Sequence, residues 1–177
     1  MKNIILVLSL AVLSSGCGYT GSSLLPDKYD SVHVKNFVNK IDPAAEVSDR
    51  RMSYTYFPGM ENQITAAIID RFMFDRHITV TRESDASMIL EGELMDYRQF
   101  PLSYDKDENV EEMRSQINVS LALYDGDTGE IIWREGGFTG WASYDLTGPN
   151  AATEAEGLNR AIDDLARRVV ERVLEVW

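Results

Sequence analysis

Ile117-Asn118-Val119-Ser120-Leu121-Ala122-Leu123-Tyr124 places an aliphatic residue at every second position. Successive side chains of a strand point to opposite faces, so this alternation predicts a strand with one face in a core and the other outside it. Asp125-Gly126-Asp127-Thr128-Gly129 follows directly. Asp and Gly tolerate left-handed backbone, so the segment predicts a turn, with Glu130 to Trp141 as the returning strand of a hairpin. Gly136-Gly137 within the return segment reads as a bulge or bend, because glycine weakens a strand interior. Upstream, Met88, Leu90, Gly92 and Leu94 alternate with Ile89, Glu91, Glu93 and Met95, which predicts a neighbouring strand and completes a three-strand meander.

A sheet with one apolar face needs a covering layer. Thr153-Glu154-Ala155-Glu156 matches a capping box, in which the Thr153 hydroxyl and the Glu156 carboxylate satisfy amides that a helix start leaves open. Leu158, Ala161, Ile162, Leu165, Ala166, Val169, Val170, Val173, Leu174 and Trp177 then hold the rhythm of one apolar helix face to the last residue. Ile64, Ala67, Ile68 and Phe72 show the same spacing within Met60 to Phe74, directly after Pro58-Gly59. Val32, Val34 and Phe37 mark a first strand over Ser31 to Asn39 with an irregular end, and Ile78-Thr79-Val80-Thr81 a brief edge strand. The expected fold is α+β: two helices packed on one face of a mainly antiparallel four-stranded sheet, with Ile78–Thr81 a short fifth strand where it pairs. The expected order is strand, helix, edge strand, meander, helix. From Asp42-Pro43 to Tyr54-Thr55-Tyr56-Phe57 the chain reads as a loop, and loops this long inside a compact domain are often functional.

The chain has 177 residues and a formal net charge of −12. Such acidity argues against nucleic acid as a partner, since phosphate binding rests on Lys and Arg. Cys17 is the only cysteine, so no intramolecular disulfide forms. It closes a charged start, an apolar run from Ile4 to Leu13, and Ser14-Ser15-Gly16, the pattern of a cleaved signal segment. Ten apolar residues span about 15 Å as a helix, roughly half a bilayer core, which argues against a retained span. Ser15-Gly16-Cys17 matches the lipobox of bacterial lipoproteins, with Ser14 where Leu is usual. Residues 1–16 are therefore expected to be removed and Cys17 lipidated. Acyl chains there would tether the chain to a membrane at about 0.8 kcal/mol per buried methylene. Ordinary secretory cleavage near Gly16 would leave a free thiol instead. Gly18, in the position where Asp would disfavour it, fits sorting to the outer membrane. Residues 17–28 read as the lipidated start and tether, and residues 29–177 as one domain.

Chemistry-bearing motifs are sparse. His33 and His77 have no zinc-ligand spacing. Residues 125–129 begin like a calcium loop but lack the later ligands, so a plain hairpin turn is the better reading. The acid run Asp105 to Glu112 reads as solvated loop charge. No nucleophile elbow, phosphate loop or dinucleotide fingerprint is present. No catalytic residue, metal ligand or cofactor is expected. A hydrolase built on Glu91, Glu93 and Asp96 remains a lesser alternative, because Glu91 and Glu93 share a strand face. Two aromatic clusters, Tyr97/Phe100/Tyr104 and Tyr54/Tyr56/Phe57, suit protein or lipid contact if exposed and anchor loops if buried.

Several segments in order resemble the LptE family of lipopolysaccharide-assembly lipoproteins. They are Gly16-Cys17-Gly18-Tyr19 with Gly21-Ser22-Ser23-Leu24-Leu25-Pro26, Val32-His33-Val34-Lys35-Asn36-Phe37-Val38-Asn39, and Met60-Glu61-Asn62-Gln63-Ile64-Thr65. Ser84-Asp85-Ala86-Ser87-Met88-Ile89-Leu90-Glu91-Gly92-Glu93-Leu94 follows, then the long strand Met113 to Tyr124 and Ile132-Trp133. Where members often carry Ala-Asp before the strand, this chain has Ala86-Ser87. The resemblance implies two helices against a four-stranded sheet. It also implies a lipid-anchored plug and assembly partner of an LptD-like outer-membrane β-barrel, on the periplasmic side or inside the lumen. Family members bind lipopolysaccharide through basic residues of the strand region, which makes Lys106, Arg114 and Arg134 the candidates by position; ordinary surface charge is the alternative. A competing reading is a lipoprotein that activates a peptidoglycan synthase, although the short tether favours a partner at the membrane.

Overall fold

The computed structural model describes residue 26, residues 28–41 and residues 58–175. Strand β1 spans Ser31–Val34 and β2 spans Val38–Asn39; helix α1 covers Met60–Asp75 and β3 Thr79–Val80. A single 3-10 turn at Glu83–Asp85 leads into three long strands, β4 (Met88–Tyr104), β5 (Val110–Asp125) and β6 (Ile131–Asp145), and helix α2 (Glu154–Glu175) closes the chain. The α+β class and the element order agree with the sequence reading.

The sheet does not match the four-stranded, mainly antiparallel expectation. It is a mixed sheet in the order β3-β1-β4-β5-β6, with β2 also paired to β4. β1 runs parallel to both β3 and β4, and β2 runs parallel to β4. Among the described residues only the β4–β5 and β5–β6 pairs are antiparallel. The cause is connectivity: a helix lies between β1 and β3, and a strand–helix–strand crossover returns the chain in the same direction. The brief Thr79–Val80 pair is a true edge strand. The irregular end of the first strand is an interruption at Lys35, Asn36 and Phe37. Phe37 turns into the core, its N–H donates to the Thr65 hydroxyl of α1 at 3.0 Å, and Thr65 in turn donates to the Glu61 carbonyl at 2.8 Å.

β5 keeps its alternation: Ser115, Ile117, Val119, Leu121 and Leu123 are buried, whereas Arg114, Gln116, Asn118, Ser120 and Tyr124 are half-buried. The core lies between this inner face and the two helices, where Met60, Ile64, Ile68, Leu165, Val169 and Val173 are fully buried. Each such side chain contributes about 1.5–3 kcal/mol by burial. α2 crosses β6 closely because position 140 is glycine; a Cβ there would lie 2.4 Å from the Leu165 Cβ and 2.6 Å from its backbone. The capping box is formed as expected, with the Thr153 N–H donating to Glu156 Oε2 at 2.7 Å and the Glu156 N–H to Thr153 Oγ1 at 3.3 Å. Gly136-Gly137 makes the expected bulge: pairing jumps from Val119/Phe138 to Leu121/Glu135, and Gly137 takes φ +75, a conformation glycine adopts without steric cost.

β6 is the long edge of the sheet, and exposed edges invite pairing with other chains. Besides the bulge, α2 blunts this edge directly: Asp164 accepts the Trp141 backbone N–H at 3.1 Å. An ion pair between Arg172 of α2 and Glu135 of β6, at 2.8 Å, adds a second tie.

Candidate functional site: the outer face of the sheet

Opposed residues in a strand ladder share a face, so the registers of β4, β5 and β6 lay out the side of the sheet away from the helices as rungs. Starting near the β4–β5 hairpin tip, Glu112 stands between Ser103 and Asp145; next come Phe100, Arg114 and Ser143; then Arg98, Gln116 and Trp141; then Asp96, Asn118 and Thr139. Beyond the bulge, Glu91, Ala122 and Arg134 form a further rung. No described element packs over these rungs.

The fold does not gather the three basic candidates. Lys106 is at the β4–β5 hairpin tip, its side chain 89% exposed, with Asp107 at 3.7 Å. Arg134 is exposed and donates to the Tyr124 hydroxyl at 3.3 Å. It borders a shallow depression of about 230 Å³ with Glu91, Glu93 and Ser120. Its rung lies eight positions along β5 from Arg114, about 27 Å at ~3.4 Å per residue. Arg114 is half-buried, with its guanidinium 4.4 Å from the Trp141 ring centre and 5.8 Å from that of Phe100, within the range of a cation–π contact.

The carboxylates raised as hydrolase candidates are each held by a cation. Lys35 Nζ lies 3.0 Å from Glu91 and 2.9 Å from Glu83, Lys40 Nζ lies 4.0 Å from Glu93, and Asp96 pairs with Arg98. The hydrogen bond from Lys35 holds Glu83 below the usual carboxylate range, and the reciprocal bonds to Glu83 and Glu91 raise Lys35. His33 Nδ1 lies 3.0 Å from the Thr81 carbonyl oxygen, and His77 contacts Asp75. Among the described residues no group of His, Cys, Asp and Glu is arranged to hold a metal ion.

Residues 125–129 form the expected hairpin turn, and Asp125 organises it. Its Oδ1 accepts the Asp127 and Thr128 N–H groups at 3.1 and 3.0 Å, while its Oδ2 accepts the Tyr29 hydroxyl at 2.9 Å and Lys28 Nζ at 3.0 Å. The Lys28 hydrogen bond first, then those from Thr128 and Tyr29, pushes the Asp125 carboxyl far below its usual range. The start of the domain is thereby clasped to the β5–β6 turn.

Comparison with known proteins supplies the family. A family model described as LptE, lipopolysaccharide-assembly, matches residues 30–174. The chain belongs to the LptE family. It is thus a lipopolysaccharide-assembly protein of the cell envelope. No curated protein sequence matches it. Among solved structures, the chain is similar to a PelC dodecamer subunit from Paraburkholderia phytofirmans at 16% identity, covering 86% of this chain and 95% of that one with a TM-score of 0.52. A protein from Xanthomonas campestris matches at 11% identity over 85% of this chain and 88% of its own, with a TM-score of 0.51. A minor lipoprotein from Acinetobacter baumannii matches at 15% over 82% and 92%, with a TM-score of 0.50. At these identities the likeness is one of fold.

For this LptE-family chain, the signal segment, Cys17, the tether up to Leu25, and the Tyr54/Tyr56/Phe57 cluster lie outside the described residues. The other aromatic cluster divides. Tyr97 is buried, bonded to Gln99 Nε2 at 2.7 Å and near Ser115 Oγ at 3.3 Å; Phe100 is half-buried on the outer face; Tyr104 is 58% exposed. The sequence reading missed Trp141 as a partner of Arg114, and missed Asn118. It also marked this strand only over Met88 to Met95, whereas β4 continues to Tyr104. Residues 97 and 100 are an odd number apart, so once the strand is extended their opposite faces follow from the period of two.

Proposed function

We propose that this chain is an outer-membrane lipoprotein that plugs and helps assemble an LptD-like β-barrel, and so helps lipopolysaccharide reach the outer leaflet. The family match over residues 30–174 carries this reading. Anchoring is by lipid on Cys17 after loss of residues 1–16, with residues 17–28 as tether and 29–177 as the working domain. No helix of the described residues is long and apolar enough to cross a membrane. The role is assembly, with no catalytic residues and no cofactor. Lys106 and Arg134 are the proposed lipopolysaccharide contacts. They lie toward opposite ends of the long strands, so they would meet separate anionic groups. Arg114 sits in different surroundings, against the Trp141 and Phe100 rings.

The test is a tagged pull-down of the full-length protein from native outer membranes in mild detergent, with co-purifying proteins identified by mass spectrometry. A stoichiometric large β-barrel is the expected result. Recovery of a peptidoglycan synthase, or of no partner, overturns the reading. Lipopolysaccharide binding that is unchanged in a Lys106→Glu, Arg134→Glu variant removes those two residues from the lipid contact.

A further inference from the structure

Most cations on the outer face have an acidic partner within the protein: Lys35, Lys40 and Arg98 each pair with a carboxylate of β4. Arg114 pairs with none among the described residues, although the chain carries a net charge of −12. Its Nε is buried and has no hydrogen-bond partner, and the same holds for Oδ1 of Asn118, two rungs along the same strand face. Buried polar atoms are normally satisfied, so the part of this face nearer the β4–β5 hairpin tip holds one donor and one acceptor that no described residue satisfies. Trp141, 40% exposed, and Phe100 fix the guanidinium between them. Aromatic side chains and Arg are the residue types that dominate protein–protein hot spots.

The neighbouring rung selects the class of occupant. Glu112 and Asp145 stand directly opposite each other beside Arg114. A multiply phosphorylated lipid headgroup brought to Arg114 would meet these two carboxylates at once. A protein wall carries both signs and separates them, placing a carboxylate or carboxamide on Arg114, a donor on Asn118 and a cation against Glu112 and Asp145. We infer that the rungs around Arg114, Trp141 and Asn118 are the surface on which a polar protein wall of mixed charge seats, that wall being the lumen of the β-barrel partner. The inference rests on the barrel-plug reading and adds which face makes the contact. The interior of such barrels is polar, which fits a seat whose two unsatisfied polar atoms are the Nε of the stacked Arg114 and the Oδ1 of Asn118.

The experiment compares full-length tagged wild type with Arg114→Glu, Trp141→Ala and, at a side chain 86% exposed and away from the rungs, Arg82→Glu variants in cells, each complex purified in mild detergent and its barrel-to-lipoprotein ratio quantified. Recovered barrel should fall at least about tenfold for Arg114→Glu and Trp141→Ala and stay at the wild-type level for Arg82→Glu, with circular dichroism unchanged for all. If wild type brings down a barrel and both face variants bring down as much, the proposed surface is wrong while the plug reading stands. Wild type without a barrel removes both. Loss of lipopolysaccharide binding with barrel recovery intact assigns the face to lipid and overturns the inference. Should a variant lose its fold, a photocrosslinking residue at Ser143 decides: a crosslink to the barrel supports the surface, and none overturns it.

Discussion

Two sets of residues interleave along β5 and behave as if they belonged to different proteins. Ile117, Val119, Leu121 and Leu123 are buried beneath the helices, whereas Arg114, Gln116 and Asn118, one position away, lie on a face that nothing described covers. On the inner face most positions are chosen by packing, so hydrophobic identity makes them readable, Ser115 beside Tyr97 and Gln99 being a polar exception. On the outer face the same backbone carries paired charges at one end and an unpaired arginine between two aromatic rings at the other. There the meaning of a side chain depends on what stands across the ladder.

The contrast is open to direct attack. Its largest expected effect is on the inner face, where Leu165→Ala removes a fully buried side chain and should cost about 3 kcal/mol in urea unfolding. Gly140→Ala probes the same contact from the other side. A Cβ would meet the Leu165 backbone at 2.6 Å, and overpacking of this kind should cost about 2 kcal/mol. Thr153→Ala removes the capping box at the start of α2 and should cost about 1 kcal/mol. On the outer face, Glu93→Gln loosens only an exposed pair with Lys40 at 4.0 Å and should change stability by no more than about 0.5 kcal/mol. A cost for Glu93→Gln that rivals Gly140→Ala would break the division between the two faces.

Acid sharpens the comparison further, because Asp125, opposite the buried Met88 at the end of β5, is a charged residue on the inner face. Its folded pKa is depressed, chiefly by Lys28, below the ~3.9 of an unfolded aspartate. Its stabilisation is therefore complete above about pH 4 and is lost as pH falls through that value toward the folded one. Thermal melting followed between pH 6 and pH 2 should show this acid-side loss in wild type and a smaller one in Asp125→Asn. Equal slopes would remove the clasp from the account.

How much of this was legible follows the same division. The alternation at 117–124, the turn at 125–129, the bulge at Gly136-Gly137 and the capping box at Thr153 are local signals, and each stands where the sequence placed it. The parallel pairing of β1 was missed because β2 and β3 are two residues long, too short for periodicity; the helix between β1 and β3 was the available clue. The alternation of this strand was marked only to Met95, yet β4 runs on through Pro101: on the side away from β5, described partners of β4 end at Leu94, and an edge strand tolerates proline. Lys106, Arg114 and Arg134 could be named as basic residues but not separated by environment, since that required the register across three strands. Asp125 was read only as a turn residue. Its grip on Lys28 and Tyr29 spans nearly a hundred positions and leaves no trace in local pattern.

That grip also sets an order of events. Tyr29 finds its acceptor 96 positions later, and β1 has no neighbour until β3 and β4 exist. A chain emerging from its amino terminus therefore cannot pair its first strand fully until Leu90, about halfway along, has emerged, nor clasp its own beginning until Asp125 has. Long-range closure of this kind is slow. The clasp on Asp125 waits for the end of β5, while α1 and the β4–β5 hairpin, whose contacts are local, have no such wait.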